Sequence, residues 1–395
     1  MAYDLKIFTE NVEPAAINQI YNLLATPPFK DAKVRIMPDV HLGSGCVVGF
    51  TATMGDKVIP NVIGVDIGCG MLTVCLGKIN PNFSQLDDFI RSTIPSGSNL
   101  RAKYGDMDFV KKLYCYPKLH ELDRIFRSLG TLGGGNHFIE LDVDEEGNYY
   151  LVIHTGSRNL GLQVAKLYQR DAINACKSAS DDAKKKIHDK LVSEGRVADI
   201  PDEFIKVTAM CAERTKTPAD FCYFEGSETE AYMHDMRICQ DFASRNRRKI
   251  ADDIMKFLGV YKANSFETLH NFIDIDGMTR KGAIPAHKGQ RVLIPMNMRD
   301  GCLVAVGKGN ADWNFSAPHG AGRLVSRGEA KELFSVEEYK TAMQGIFTTS
   351  ANLSTIDESP MAYKPMDEIV RLIEPTVEIQ KIIKPVYNFK AGKKD

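Results

Sequence analysis

The stretch Asn61-Val62-Ile63-Gly64-Val65-Asp66-Ile67-Gly68-Cys69-Gly70-Met71 decides how the rest of the chain is read. It sets a carboxylate, Asp66, and a thiol, Cys69, three residues apart between glycines, directly after a β-branched run that predicts a strand. Glycine on either side frees the backbone to curl close to an ion, while the apolar run behind it anchors the turn in a core. A thiolate beside a carboxylate suits a borderline ion such as Mn²⁺, Zn²⁺ or Co²⁺ better than an all-oxygen Mg²⁺ or Ca²⁺ cage. Taken alone, the same residues also read as a glycine-rich turn with a buried free cysteine.

Around this nucleus lie 395 residues, 44% hydrophobic and 26% charged, enough to bury a large core and to exclude a disordered chain. A formal net charge of -1 excludes a globally basic nucleic-acid binder but leaves room for a local cleft of Lys and Arg. The nine cysteines are scattered, with no CxxC pair, and read as reduced thiols of a cytoplasmic protein. The N-terminus shows no basic region followed by an apolar run, and no stretch approaches the ~20 apolar residues that cross a bilayer, so no membrane partner is expected.

Outward from the nucleus, Met37-Pro38-Asp39-Val40-His41-Leu42-Gly43 predicts a turn after a strand, carrying a carboxylate and an imidazole that read either as chemistry or as a capping pair. Gly133-Gly134-Gly135-Asn136-His137 predicts a tight backbone turn feeding a strand, with Asn136, Phe138 and Glu140 on one face and His137 and Ile139 on the other. His154 ends a strand that begins at Tyr149 and faces Gly156-Ser157-Arg158, a helix start suited to an anion. Residues 172–216 read as a solvated helical face with an inert His188. Residues 228–258 form a stronger helix whose basic end, Arg245 to Lys249, reads as a wet surface or as lining for a polyanion groove. His270-Asn271 lies near a strand end, and small residues around His319 leave its ring reachable by a phosphorus centre, with Arg323 one helical turn beyond. Asp66, Cys69, His137, His154 and His270 together exceed what one tetrahedral ion takes, so a pair of ions sharing the thiolate is expected.

In order and spacing, residues 37–43, 50–71, 133–140, 154–161, His270-Asn271, 319–323, 357–364 and Lys390 resemble the RtcB family of GTP-dependent RNA-splicing ligases. The resemblance covers essentially the whole chain. It implies an α+β fold, one large domain over residues 1–395 in which mixed β-sheets form a central metal cleft flanked by helices. It also implies a ligase that joins an RNA 2′,3′-cyclic phosphate or 3′-phosphate end to a 5′-hydroxyl end, with GTP and two Mn²⁺ ions. In that family a histidine attacks the GTP α-phosphorus, the guanylate passes to the RNA 3′-phosphate, and the 5′-hydroxyl displaces GMP. Carried over by motif, His319 is the nucleophile and Cys69 bridges two ions, one completed by Asp66 and His137, the other by His154 and His270. Asn136, Phe138, Glu140 and Asn271 fall at nucleotide-contacting positions, as do Pro295, Met298 and Cys302. Gly320, Ala321, Gly322, Tyr363 and Lys390 complete that set, while Arg158, Arg323 and His41 are placed for RNA. An archease-like activator protein is a further partner that the resemblance implies.

The chain departs from the family pattern in three places. The family's Pro-Gly-Ser-Met-Gly turn reads Pro295-Met296-Asn297-Met298-Arg299 here, with Cys302 at a serine position. Its Gly-Leu-Gly-His run is Asn159-Leu160-Gly161-Leu162, and a cysteine often found before the nucleophile is Pro318. These exchanges bear on nucleotide choice and triphosphate geometry and spare the metal ligands and the nucleophile. Two other readings remain: a metal-dependent phosphatase or cyclic phosphodiesterase acting on RNA ends, and a non-catalytic RNA-end binder.

Overall fold

Pro60 occupies the first turn of a one-turn helix, Pro60–Ile63, where its fixed φ suits helix initiation and its missing N–H is not needed. The β-branched run before Gly64, expected as a strand, is therefore helical, and the strand comes after Cys69, at Gly70–Gly77. Gly64 and Gly68 take φ of 83° and 71°, which side chains with a Cβ rarely adopt, and between them the chain reverses. The computed structural model describes residues 3–392 of this chain, so the basic tail Lys393-Lys394-Asp395 lies outside the described residues. Its architecture is α+β, as expected from the resemblance.

Seven antiparallel strands form the sheet that carries the centre. From edge to edge they are Arg291–Asn297, Gly301–Gly307, Val377–Lys390, Phe138–Val143, Tyr149–Thr155, Gly70–Gly77 and Asn264–Leu269. The two edge strands curl toward each other, and the Leu293 N–H donates to Thr268 Oγ1 at 3.1 Å, so the sheet nearly closes into a barrel. Alternation along each strand then sorts side chains into two populations. Met71, Phe138, Val152, Leu293, Cys302 and Ile383 fill the inside. Leu72, Val74, Ile139, Leu141 and Ile153 point outward against helices Phe83–Thr93 and Thr229–Phe257. A one-residue slip would exchange these populations, so the register that positions Glu140 and His154 is set by the same apolar pattern that builds the core.

A second sheet orders Asp4–Ile7, Lys33–His41, Val48–Thr53, Met278–Lys281 and Asn271–Ile273. Its Lys33–His41 strand runs on through Asp39 and His41, where a turn was expected, because Val40 and its neighbours are buried and keep the strand covered to its end. A two-stranded ribbon, Ala283–Pro285 with Ser316–Pro318, delivers His319 to the gap between the sheets. Helix Arg158–Ser193 starts at the centre and runs 36 residues outward, where Ile200–Thr215 packs alongside it with no buried residue of its own. His188 is exposed there, as expected. Among the described residues no helix is long and apolar enough to cross a membrane, and all nine cysteines are free thiols.

Candidate active site

The open end of the barrel gathers donors from four separate segments. Gly70 pairs with both Thr155 and Leu269, which puts Cys69, His154 and His270 at the same end of three adjacent strands. The His270 N–H donates to the Cys69 carbonyl at 3.0 Å. Cys69 Sγ lies 3.3 Å from His154 Nε2 and 3.6 Å from His137 Nε2, and His137 Nε2 lies 3.0 Å from Asp66 Oδ2. The ligand atoms of Asp66, Cys69 and His137 fall within 4.8 Å of one another, as do those of Cys69, His154 and His270, so the thiol belongs to both groups.

These residues fit a pair of borderline divalent ions. His137 and His154 turn Nδ1 to the carbonyls of Leu132 (2.9 Å) and Asn136 (3.2 Å), which puts a proton on Nδ1 and aims each Nε2 at the sulfur. His270 Nδ1 is buried with no hydrogen-bond partner, an orphan that coordination would satisfy. Burial and the neighbouring imidazoles push His154 and His270 well below the usual histidine value, toward the neutral, ligating form. Burial alone would raise Asp66, but the His137 hydrogen bond and charge, with Arg158 nearby, hold it below the usual carboxylate range. Burial and the Asp66 charge push the Cys69 thiol well above its ordinary value, so an incoming ion has to displace its proton.

Behind the donors, the glycine turns leave backbone groups that need internal partners. Arg247 Nη1 donates to the carbonyls of Gly68 (3.0 Å) and Thr155 (2.8 Å). Asn246 accepts from the N–H groups of Gly130 (2.6 Å) and Thr131 (3.0 Å) and donates to the Gly156 carbonyl (3.2 Å). The basic end of this helix, read as lining for a polyanion groove, thus places Asn246 and Arg247 inside the scaffold; Arg248 and Lys249 stay outside. Asn246→Ala strands two buried N–H groups and is expected to destabilise the fold by about 2 kcal/mol, read as a lower urea midpoint. Gly156 lies against the Asp66 carboxylate, and a Cβ there would run into it. Arg158 opens its helix at φ 55° and brings Nη1 to 3.4 Å from His137 Nδ1, lining a second cleft with Asp66, Ser98 and Asn99.

The main cleft encloses about 750 Å³, its mouth included. His319 stands in its wall, its ring centroid 4.8 Å from that of His270, which is 5.1 Å from that of His154. Asp39 Oδ2 accepts from both the His319 backbone N–H (3.1 Å) and Nδ1 (2.6 Å). A carboxylate can only accept here, so Nδ1 carries a proton, and in the neutral ring the lone pair is on Nε2. Sequence reading noted Asp39 only as the neighbour of His41; its pairing with His319 spans 280 residues and left no local signal. His41, on the same strand and also lining the cleft, is lowered to about 4 by burial.

Of the positions expected to contact a nucleotide, Asn136, Phe138, Glu140, Pro295 and Met298 line this cleft, with Gly320, Ala321, Gly322, Tyr363 and Lys390. Asn271 and Cys302 do not. Asn271 braces the metal turn, donating to the Asp66 carbonyl at 3.3 Å, and Cys302 sits beneath Glu140 with its sulfur 3.8 Å from Oε1. Arg299, the new charge in the altered turn, pairs with Asp300 at 2.8 Å and lies off the cleft wall. Arg323 lines the cleft, but from a bridge to Tyr363 where a helical turn was expected, because its guanidinium is held by the Asp357 carbonyl at 2.6 Å. Glu358, which sequence reading passed over, ties the far wall together: it takes Lys390 Nζ at 2.7 Å and Tyr363 Oη at 2.7 Å, with Arg327 alongside.

A family model described as tRNA-splicing ligase RtcB matches residues 19–115 and 114–391. Escherichia coli strain K12 has a relative named RNA-splicing ligase RtcB that is 29% identical over 420 residues, covering 95% of this chain and 94% of its own. Two proteins named tRNA-splicing ligase RtcB, from Nanoarchaeum equitans and Aeropyrum pernix, are 27% and 26% identical. The first alignment covers 96% of this chain and 91% of the relative, the second 85% and 83%.

Proposed function

The chain belongs to the RtcB family, and on that premise we propose that it is an RNA ligase, one continuous catalytic domain acting in the cytoplasm on RNA with a 3′-phosphate or 2′,3′-cyclic phosphate end and a 5′-hydroxyl end. GTP is the activating nucleotide, and Mn²⁺ the metal. Asp66, Cys69 and His137 would hold one ion, and Cys69, His154 and His270 the other. Bound there, the ions supply positive charge beside the triphosphate and keep the shared sulfur deprotonated.

The observation that carries this reading is His319: Nδ1 is held by Asp39, so the Nε2 lone pair is free for attack. The imidazole bonds to the α-phosphorus and pyrophosphate leaves, giving a phosphoramidate. As the ring gains positive charge, Asp39 stabilises it through Nδ1. Lys390 and Arg323 stand on the cleft wall, where they can meet phosphate oxygens. The RNA 3′-phosphate then takes the guanylate, and the 5′-hydroxyl displaces GMP to form the new phosphodiester. An archease-like activator would act on turnover, not on these residues.

Incubation with α-labelled GTP and Mn²⁺ should leave acid-labile label on the protein, and no label with any nucleotide or divalent ion would refute the proposal. Asp39→Asn keeps the size and loses the charge that fixes the tautomer, so the labelling rate should fall roughly 10²-fold or more. An unchanged rate would remove Asp39 from the reaction.

A further inference from the structure

At the cleft floor and beneath it, inside the barrel, lie two carboxyl groups and a thiol: Glu140 lines the cleft, while Asp142 behind it has no part in the ligation scheme. Glu140 and Asp142 sit two residues apart on one strand and so share its inner face, and Cys302 comes from a strand across the sheet. One ligand atom of each falls within 4.8 Å of the others, and all three side chains are buried. Glu140 has donors: Asn388 Nδ2 at 2.5 Å on Oε2 and the Cys302 thiol on Oε1. Asp142 is fully buried, and neither of its oxygens receives a hydrogen bond from a protein donor. Its partner in the next strand is Pro385, which has no N–H to give. The nearest lysines are taken, Lys390 by Glu358 at 2.7 Å and Lys381 by Asp144 at 2.8 Å.

Two buried carboxyl groups this close, with no protein donor on either Asp142 oxygen, do not both ionise. One proton must be shared, and the charge belongs on the group with donors. We propose that Asp142 is a positioning residue for the nucleobase: as a carboxylic acid it donates to Glu140, which stays an anion and presents an acceptor to a base edge carrying N–H donors. This rests on the reading that Glu140 faces the base of a bound nucleotide. Cys302, a departure from the family pattern, belongs to the same arrangement and offers Glu140 a thiol hydrogen in place of a hydroxyl. Three observations agree with the assignment. Burial and the Glu140 charge push Asp142 well above the usual carboxylate range. Glu140 is pushed up by burial but only to about 7, because Asp142, Asn388, Lys390 and Cys302 favour its anion. Glu140 and Asn388 line the cleft while Asp142 and Cys302 do not, so the acceptor faces the ligand and the acid lies behind it.

The sign follows. Below about pH 7 the pair takes up a second proton and the acceptor is lost. Affinity for GMP, measured by calorimetry with EDTA present so that no ion contributes, should weaken roughly tenfold per pH unit below that midpoint and level off above it. In Asp142→Asn the amide makes the same donation permanently, so affinity and pH profile should stay close to those of the unaltered chain, whereas Asp142→Leu removes the donor, moves the Glu140 midpoint up and weakens binding between pH 7 and 8. Comparing the proteins at equal pH cancels the titration of GMP itself. An Asp142→Leu protein with the affinity and midpoint of the unaltered chain, or an Asp142→Asn protein that binds as poorly as Asp142→Leu, would overturn the proposal. A second readout does not depend on nucleotide binding. Infrared spectra of the metal-free protein well above the Glu140 midpoint of about 7 should show the carbonyl stretch of a buried carboxylic acid, absent in Asp142→Asn; two ionised carboxylates, or a third ion per chain by elemental analysis of the metal-loaded protein, would overturn it equally. If the unaltered chain binds no GMP at any pH but the infrared band is present, the acid pair stands and the reading of the cleft fails.

Discussion

A His319→Ala protein given α-labelled GTP and Mn²⁺ is expected to carry no acid-labile label and to ligate at least about four orders of magnitude more slowly than the unaltered chain. The size of the effect follows from what else could attack. His154 turns Nδ1 to a carbonyl and Nε2 to Cys69. His137 does the same, with Nε2 toward Cys69 and Asp66. His270 lies behind His319 with its ligand atom grouped with Cys69 and His154. With ions bound, none of these three rings keeps a free nitrogen for the cleft, and His41, which lines it with Nδ1 turned to the Asp39 carbonyl at 2.9 Å, is the remaining imidazole that retained label would point to. The fold should survive, because His319 follows a short ribbon whose pairing is made by backbone groups. Unchanged thermal unfolding together with lost label is the expected pair of results. The same variant separates ligation from end hydrolysis: if it opens 2′,3′-cyclic phosphate ends at the unaltered rate, opening does not use the covalent route. Label retained on His319→Ala would place the nucleophile elsewhere.

How much of this was legible in the chain depends on the range of each interaction. Asp66 and Cys69 are three residues apart, and the glycines between and around them announce a turn. His154 and His270 stand at strand ends that the apolar alternation marks out, so their convergence could be expected before any coordinates. The strand expected in the β-branched run before Gly64 fails for a local reason: Pro60 starts a helix more readily than β-branched residues start a strand. Asp39 was visible as a residue and invisible as a partner, since its hydrogen bond to His319 depends on two strands of different sheets meeting. Asn246 and Arg247 were misplaced because a basic run on a helix looks the same from sequence whether it faces solvent or bare carbonyls. Closure of the barrel rests on edge-to-edge contacts, the Leu293 N–H on Thr268 and the Arg291 guanidinium over the Phe266 ring, that no periodicity encodes. In the turn at 295–299 the charge of Arg299 is held by Asp300, and the change that reaches the cleft is Cys302 under Glu140.

Cys69→Ser is expected to lose both ions together. The sulfur is the one ligand atom common to the two groups, so its removal takes a donor from each, whereas His137→Ala removes a donor from one group only. Serine is isosteric, but its hydroxyl stays protonated and neutral where a thiolate would bridge, so the affinity falls for both ions while the fold is preserved. Ligation should drop by several orders of magnitude, with elemental analysis showing near-empty protein. The proton count gives an independent check. Burial and Asp66 keep the Cys69 thiol protonated in the metal-free protein, so loading the unaltered chain should release about one proton from this group and bind more tightly as pH rises. Cys69→Ser has no such proton to lose, and any residual uptake should be nearly free of that release and of that pH dependence. Calorimetry in two buffers of different protonation enthalpy measures the difference directly. Two ions retained by Cys69→Ser at unaltered affinity would show that the thiol is a bystander and that the centre is built from carboxylate and imidazole alone.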